Sequence, residues 1–152
     1  MCMFAGRDVI LIDTQRAELP HICEMEQHQG ANLINPYSLE RHLDEFTKPD
    51  MLYKSIWSGV EFVGFVILAL DPDGRSVELR RIFVSRPGCG YGASAINCVD
   101  KICWQELGRN RVWLDVFETN ERAQRVYVKC GFKPFSKSTS NGRELVLYER
   151  EL

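Results

Sequence analysis

The order of strand-like and helix-like segments predicts a mixed α/β (α+β) protein, with a mostly antiparallel sheet and helices on its faces. Three observations carry that reading. Hairpin punctuation, Ser58-Gly59 and Asp71-Pro72-Asp73-Gly74, separates three consecutive β-rich runs. A glycine-rich turn then leads from the third run into a long amphipathic segment, and a second strand–helix pair follows it.

Taken in order, residues 8–13 form a short β-rich run, and a helix begins near Leu19-Pro20, where proline suits a first turn. Asn35-Pro36 reads as the start of a second helix, asparagine capping and proline in first position. Leu39, Leu43 and Phe46 then recur at helical spacing as its apolar face. Residues 51–57, 60–70 and 76–84 are the three strands expected to pair antiparallel. The next helix carries Ile96, Val99, Cys103 and Leu107 as its stripe and stops at Gly108. A strand over residues 111–117 leads to a helix from about Thr119 or Asn120, burying Ala123, Val126, Tyr127 and Cys130 and ending at Gly131. Two strands, residues 132–136 and 144–150, close the chain around Ser140-Asn141-Gly142.

A length of 152 residues is that of one ordinary domain, and a single domain over residues 1–152 is expected. With 45% hydrophobic and 26% charged residues, the chain is globular in composition. Nineteen Lys and Arg against 21 Asp and Glu give a net charge of −2, which removes the electrostatic case for non-specific nucleic-acid or polybasic membrane binding. The longest apolar run, residues 62–70, is strand-sized, and the first residues lack a basic, then apolar leader. A cytoplasmic location is therefore expected. The six cysteines show no C-x-x-C spacing and are expected as free thiols; the three histidines show no ligand spacing, so no metal is expected.

The turn Arg86-Pro87-Gly88-Cys89-Gly90-Tyr91-Gly92 holds the strongest chemical signal. Strand, alternating glycines and helix let backbone N–H groups converge on an anion beside a positive helix N-terminus. A Cβ at Gly88, Gly90 or Gly92 is expected to obstruct the turn or the ligand. Gly88-x-Gly90-x-x-Ala93 formally matches a dinucleotide fingerprint, but that motif belongs to largely parallel sheets, and antiparallel strands precede the turn here. A plain tight turn and the pyrophosphate of coenzyme A are the other readings.

The stretch L-R-R-I-F-V-S-R-P-G-C-G-Y-G-A-S-A-I, residues 79–96, resembles the acetyl-CoA motif of the GCN5-related N-acetyltransferase (GNAT) superfamily. V-W-L-D-V-F-E-T-N-E-R-A-Q-R-V-Y-V-K-C-G-F, residues 112–132, resembles that superfamily's second signature, and the closing N-G-R-E-L-V-L-Y is similar to the last hairpin of the branch acetylating protein N-termini and polyamines. The resemblance implies a central sheet of about seven strands flanked by about four helices, and acetyl-CoA as acyl donor.

It also implies site residues. Ile82, Phe83 and Val84 would splay from the neighbouring strand and offer backbone groups to the pantetheine arm, as an added strand does. Backbone N–H groups of Gly88, Cys89, Gly90, Tyr91, Gly92 and Ala93 would hold the pyrophosphate. Pro87 stands where the family commonly has Arg or Gln, and Arg86 would substitute. Asn120 matches the position whose amide reaches the pantetheine, and it is also a plain N-cap. Tyr127 matches the general acid, protonating the departing thiolate. Asp115, twelve residues before Tyr127, matches the base of the N-terminal-acetylating branch, though as Asp rather than the longer Glu. Glu78 is its rival, since other branches carry the base on that strand.

The activity so implied is direct acetyl transfer to a primary amine, a small amine or amino acid, with a protein N-terminus or lysine as the alternative acceptor. A non-catalytic acyl-CoA-binding regulatory domain is the reading from another class. Glu24, Glu26, Glu40, Asp44 and Glu45 would suit a cationic acceptor. Arg122, Arg125 and Lys129 read as a solvated helix face, with contact to a nucleotide phosphate as the alternative. Cys89 reads as a turn residue open to alkylation. The partner expectation is a small-molecule or protein amine, no nucleic acid and no membrane, with the chain a monomer or a homodimer through an edge strand.

Overall fold

The computed structural model describes residues 8–28 and 35–152. Seven strands form one sheet: β1 (Ile10–Asp13), β2 (Met51–Ser58), β3 (Glu61–Leu70), β4 (Ser76–Val84), β5 (Arg111–Phe117), β6 (Lys133–Ser140) and β7 (Arg143–Glu151). Their spatial order is β1-β2-β3-β4-β5-β7-β6. Four helices accompany them: α1 (Leu19–Gln27), α2 (Leu39–Phe46), α3 (Tyr91–Lys101) and α4 (Glu121–Lys129). A 3₁₀ turn at Arg16–Glu18 precedes α1, and a π-helical turn at Ile102–Glu106 extends α3.

All pairings are antiparallel except β4 with β5. The last hairpin turns on Asn141 (φ 50°) and Gly142 (φ 77°), the left-handed pair that a tight two-residue turn requires. Its strands do not simply follow β5. β7 inserts between β5 and β6, leaving β6 at the edge. Pro134, Lys133, Lys137 and a register shift between Pro134 and Ser136 blunt that edge.

Side chains alternate along β3 into two clusters. Val63, Val66 and Leu68 join Ile96 and Val99 of α3, with Val126 and Tyr127 of α4 packed against them. Phe65 and Ile67 join Leu19, Ile22 and Met25 of α1 on the other face, with Leu43 and Phe46 of α2 packed against them. β3 is thus covered on both sides, which its unbroken apolar run requires.

The start of α2 corrects the sequence expectation. Ser38, not Asn35, is the N-cap, and its Oγ accepts from the Arg41 N–H at 3.1 Å. Ahead of this cap Tyr37 is buried and gives its backbone N–H to Glu26 Oε1 at 2.6 Å, and the extended backbone of Ser38 (φ −67°, ψ 161°) starts the helix only after it. The apolar face is also differently placed. His42 and Glu45 are buried whereas Leu39 is 38% exposed. Among the described residues no helix is long and apolar enough to cross a membrane.

Candidate active site

β4 and β5 pair over three residues only, Ser76↔Arg111, Val77↔Val112 and Glu78↔Trp113. Beyond Glu78 and Trp113 the strands part, although β4 runs on to Val84 and β5 to Phe117. A register shift on β4 sits at the same place: Leu79 faces Leu68 and Arg81 faces Ile67, so Arg80 is a bulge residue. The parting opens a cleft of about 830 Å³ between β4, β5, α3 and α4, reaching α1 and α2 at its far end.

At one end lies the glycine turn. Gly88 and Gly90 both hold φ 83°, and Gly90 is the residue before α3. The first-turn N–H groups of Tyr91, Gly92 and Ala93 have no intrahelical acceptor, so they remain for an anion. A Cβ on Gly88 would stand 3.2 Å from Arg122 Nη2, whereas one on Gly92 meets nothing within 4 Å. The expected obstruction at Gly92 is therefore absent from the protein itself.

Arg122 is exposed on α4, as a solvated face predicts, and it also lines the cleft beside Gly88. Arg86, expected at the pyrophosphate, pairs instead with Glu61 at 2.5 Å. Cys89 is buried and held in a disulfide, so the free, alkylatable thiol expected there is also corrected. Cys23, Cys98, Cys103 and Cys130 are free thiols, and burial pushes Cys103 up to about 12.

Along the middle, Ile82, Phe83 and Val84 pair with Val66, Phe65 and Gly64 of β3 on one side only; the parted β5 leaves their other edge without a strand. Gly64 permits this approach, since a Cβ there would lie 1.9 Å from the Phe83 carbonyl oxygen. Phe83 stacks on Phe65, with ring centroids 5.9 Å apart. Asn120 lines the cleft and caps α4, its Oδ1 accepting from the Ala123 N–H at 3.3 Å.

Asp115 and Tyr127 line the same cleft from β5 and α4. The Tyr127 ring packs edge-on to Phe132 and beside Tyr148, and burial, then the Asp115 charge, raises its phenol above the ordinary range. Asp115 is solvent-accessible, yet desolvation by the cleft walls and then the Glu78 charge raise its carboxyl, against the pull of Arg81 and Arg80. Glu78 lies deeper, and its Oε1 accepts from Arg80 Nη2 at 2.8 Å and Nε at 3.3 Å. Of the two candidate bases, Asp115 makes no ion pair among the described residues and Glu78 makes one.

The chain matches the model of the acetyltransferase (GNAT) family over residues 19–132. It belongs to that family. An uncharacterized N-acetyltransferase from Mycobacterium tuberculosis is 39% identical over 72 residues, 47% of this GNAT chain and 46% of that protein. A counterpart from Mycobacterium bovis aligns equally, 39% over 72 residues, so the matched segment spans about half the length of these curated relatives. Among solved structures, a spermidine N-acetyltransferase from Vibrio cholerae in complex with CoA and spermine superposes with a TM-score of 0.80 at 17% identity, covering 95% of each chain. A dodecameric structure of that spermidine N-acetyltransferase gives 0.76 at 18% identity over 95% of this chain and 94% of its own. At such identities the likeness is one of fold. It is the GNAT fold, with the mixed seven-stranded sheet and four helices that the sequence implies.

At the far end of the cleft, this GNAT chain holds a polar network that sequence reasoning missed. Glu26 is fully buried on α1. Its Oε1 accepts the Tyr37 N–H and lies 3.0 Å from His42 Nε2, while Oε2 is 3.2 Å from Arg81 Nε. His42 Nδ1 in turn lies 2.8 Å from Tyr53 Oη. Of the five acidic residues offered for a cationic acceptor, Glu26 alone lines the cleft. Spacing gives no signal for this group, because its partners come from α1, α2, β2 and β4.

Proposed function

We propose that the protein transfers an acetyl group from acetyl-CoA directly to a primary amine, a small amine or an amino acid. The observation that carries this reading is the pair Asp115 and Tyr127, electrostatically coupled in one cleft where β4 and β5 part. The residues present fit acetyl-CoA. Glycine-turn N–H groups and Arg122 would take the pyrophosphate, and the free edge of Ile82, Phe83 and Val84 would take the pantetheine arm.

The donor supplies a thioester already activated toward amines. A primary amine is mostly protonated at neutral pH and must first lose a proton. Asp115 takes it, directly or through one water, and its raised pKa makes it a better acceptor of that proton than an ordinary carboxylate. The backbone N–H near Val84 polarises the thioester carbonyl. As the C–N bond forms and the C–S bond breaks, Tyr127 gives its phenolic proton to the departing thiolate, and the second proton of the attacking nitrogen, made acidic by acylation, restores the phenol directly or through water. Its raised pKa keeps that proton in place at neutral pH until the thiolate needs it. Holding both substrates in the parted strands supplies much of the rate.

The test is a panel of amines, amino acids, spermidine and peptides with free N-termini, incubated with protein and acetyl-CoA and scored by acetyl mass gain. Transfer that Asp115→Asn and Tyr127→Phe both suppress is the expected result. Bound acetyl-CoA with no transfer to any member overturns the reading in favour of a binding module.

A further inference from the structure

We infer that the acceptor carries a carboxylate beside its amine, as an amino acid does, and that Arg41 holds that carboxylate. The inference rests on the acetyl-transfer reading above and deepens it to a substrate class. Besides Arg122 beside the glycine turn, six charged side chains line the cleft: Glu26, Arg41, Glu78, Arg80, Arg81 and Asp115. Four of them cancel in pairs, Glu78 with Arg80 at 2.8 Å and Glu26 with Arg81 at 3.2 Å.

One cation and one anion remain. Asp115 makes no ion pair among the described residues. Among the described residues Arg41 pairs only with Glu45 of its own helix, at 4.0 Å, and Lys48 already occupies the same Glu45 oxygen at 3.0 Å. The Arg41 side chain is 55% exposed, so its guanidinium is accessible to an acceptor entering the cleft.

The surroundings of Arg41 favour an anion further. Its guanidinium carbon sits 3.8 Å from the centroid of the Tyr37 ring, and that of Arg81 sits 4.4 Å from the same centroid. Two guanidinium groups thus converge on one ring, Arg81 held at 3.2 Å by Glu26 and Arg41 only at 4.0 Å from a Glu45 oxygen that it shares with Lys48. The planar fork of Arg41, oriented by Tyr37, matches a carboxylate with two parallel hydrogen bonds.

A zwitterionic acceptor satisfies both leftover charges, its ammonium toward Asp115 and its carboxylate toward Arg41. A polyamine would meet three arginines with Glu26 and Glu78 already committed to two of them. A simple monoamine would leave Arg41 unused.

The test compares L-amino acids with their own amides, and with spermidine, as acceptors for the wild-type protein and for Arg41→Gln. Acetyl-CoA titration and thermal unfolding establish that the variant is folded. Wild-type kcat/KM should favour the free amino acid over its amide by about tenfold or more. Arg41→Gln should collapse that preference to within about threefold, chiefly through KM for the amino acid. Equal or better use of amides or of spermidine overturns the inference and leaves acetyl transfer standing, as does an undiminished amino-acid preference in Arg41→Gln. Failure to acetylate any acceptor, with acetyl-CoA bound, overturns the transfer reading itself and the inference with it.

Discussion

The carboxylate of Asp115 on β5 raises the pKa of the Tyr127 phenol on α4, twelve residues further along the chain. The register of β5 sends Val112, Leu114 and Val116 to the core and leaves Asp115 on the opposite, accessible side. A general base and a general acid in one cleft need that coupling, since each must hold its proton state until the other acts.

Replacing Asp115 by Asn is expected to lower kcat/KM about 100-fold or more. In the wild type the rate should rise with pH through an acid limb above the ordinary carboxylate range, and the variant should lack that limb. Stability moves the other way. The folded-state pKa is raised by desolvation and by Glu78, so this carboxyl contributes most to stability at low pH and loses that contribution as pH rises through its raised value. Asp115→Asn should therefore melt no lower than the wild type at neutral pH. Rate profiles and thermal melts across pH check both halves.

Tyr127→Phe keeps the ring against Phe132 and Tyr148 and removes only the phenol. The expected outcome is about a 100-fold fall in kcat with acetyl-CoA still bound. Because burial holds the wild-type phenol above its ordinary range, kcat should show no alkaline loss below about pH 10. Steady-state kinetics against pH and a titration with acetyl-CoA measure the two effects separately.

Two glycines separate folding from binding. Gly64→Ala puts a Cβ 1.9 Å from the Phe83 carbonyl oxygen and should force β3 from β4, costing about 2 kcal/mol or more and weakening acetyl-CoA binding. Gly92→Ala meets nothing within 4 Å and lies in a helix, so its melting temperature should hold or rise. Its Cβ would nonetheless crowd an anion at the α3 N-terminus, so acetyl-CoA affinity should fall. Denaturant unfolding and calorimetric titration of both variants supply the comparison.

The parts legible in the sequence are those with local causes. Gly88 and Gly90 require a turn, Asn120 caps α4 and Asn141-Gly142 makes the hairpin, and each is found where spacing placed it. The insertion of β7 beside β5 was not legible, because strand order depends on pairing between distant segments. Nor was the buried face of α2. Apolar periodicity pointed to Leu39, but His42 enters the core because Glu26 and Tyr53 satisfy both its ring nitrogens. Arg122 was legible as an exposed residue, but its place beside the cleft depends on the loop that the helix packs against.

The buried network should carry stability as well as shape the acceptor end. Glu26→Ala would strand Arg81 and His42 without their shared carboxylate, and removing one partner of a buried charge pair costs about 3 kcal/mol or more. Urea unfolding at neutral pH is the measurement, with the midpoint falling and the slope unchanged.

Thermal unfolding with and without acetyl-CoA, coenzyme A and NAD tests the central claim most directly, since it requires no choice of acceptor. Acetyl-CoA at about 100 times its dissociation constant should add roughly 2.7 kcal/mol, a rise of several degrees, with NAD giving none. An unmoved transition at saturating acetyl-CoA, or a rise with NAD instead, would contradict the account.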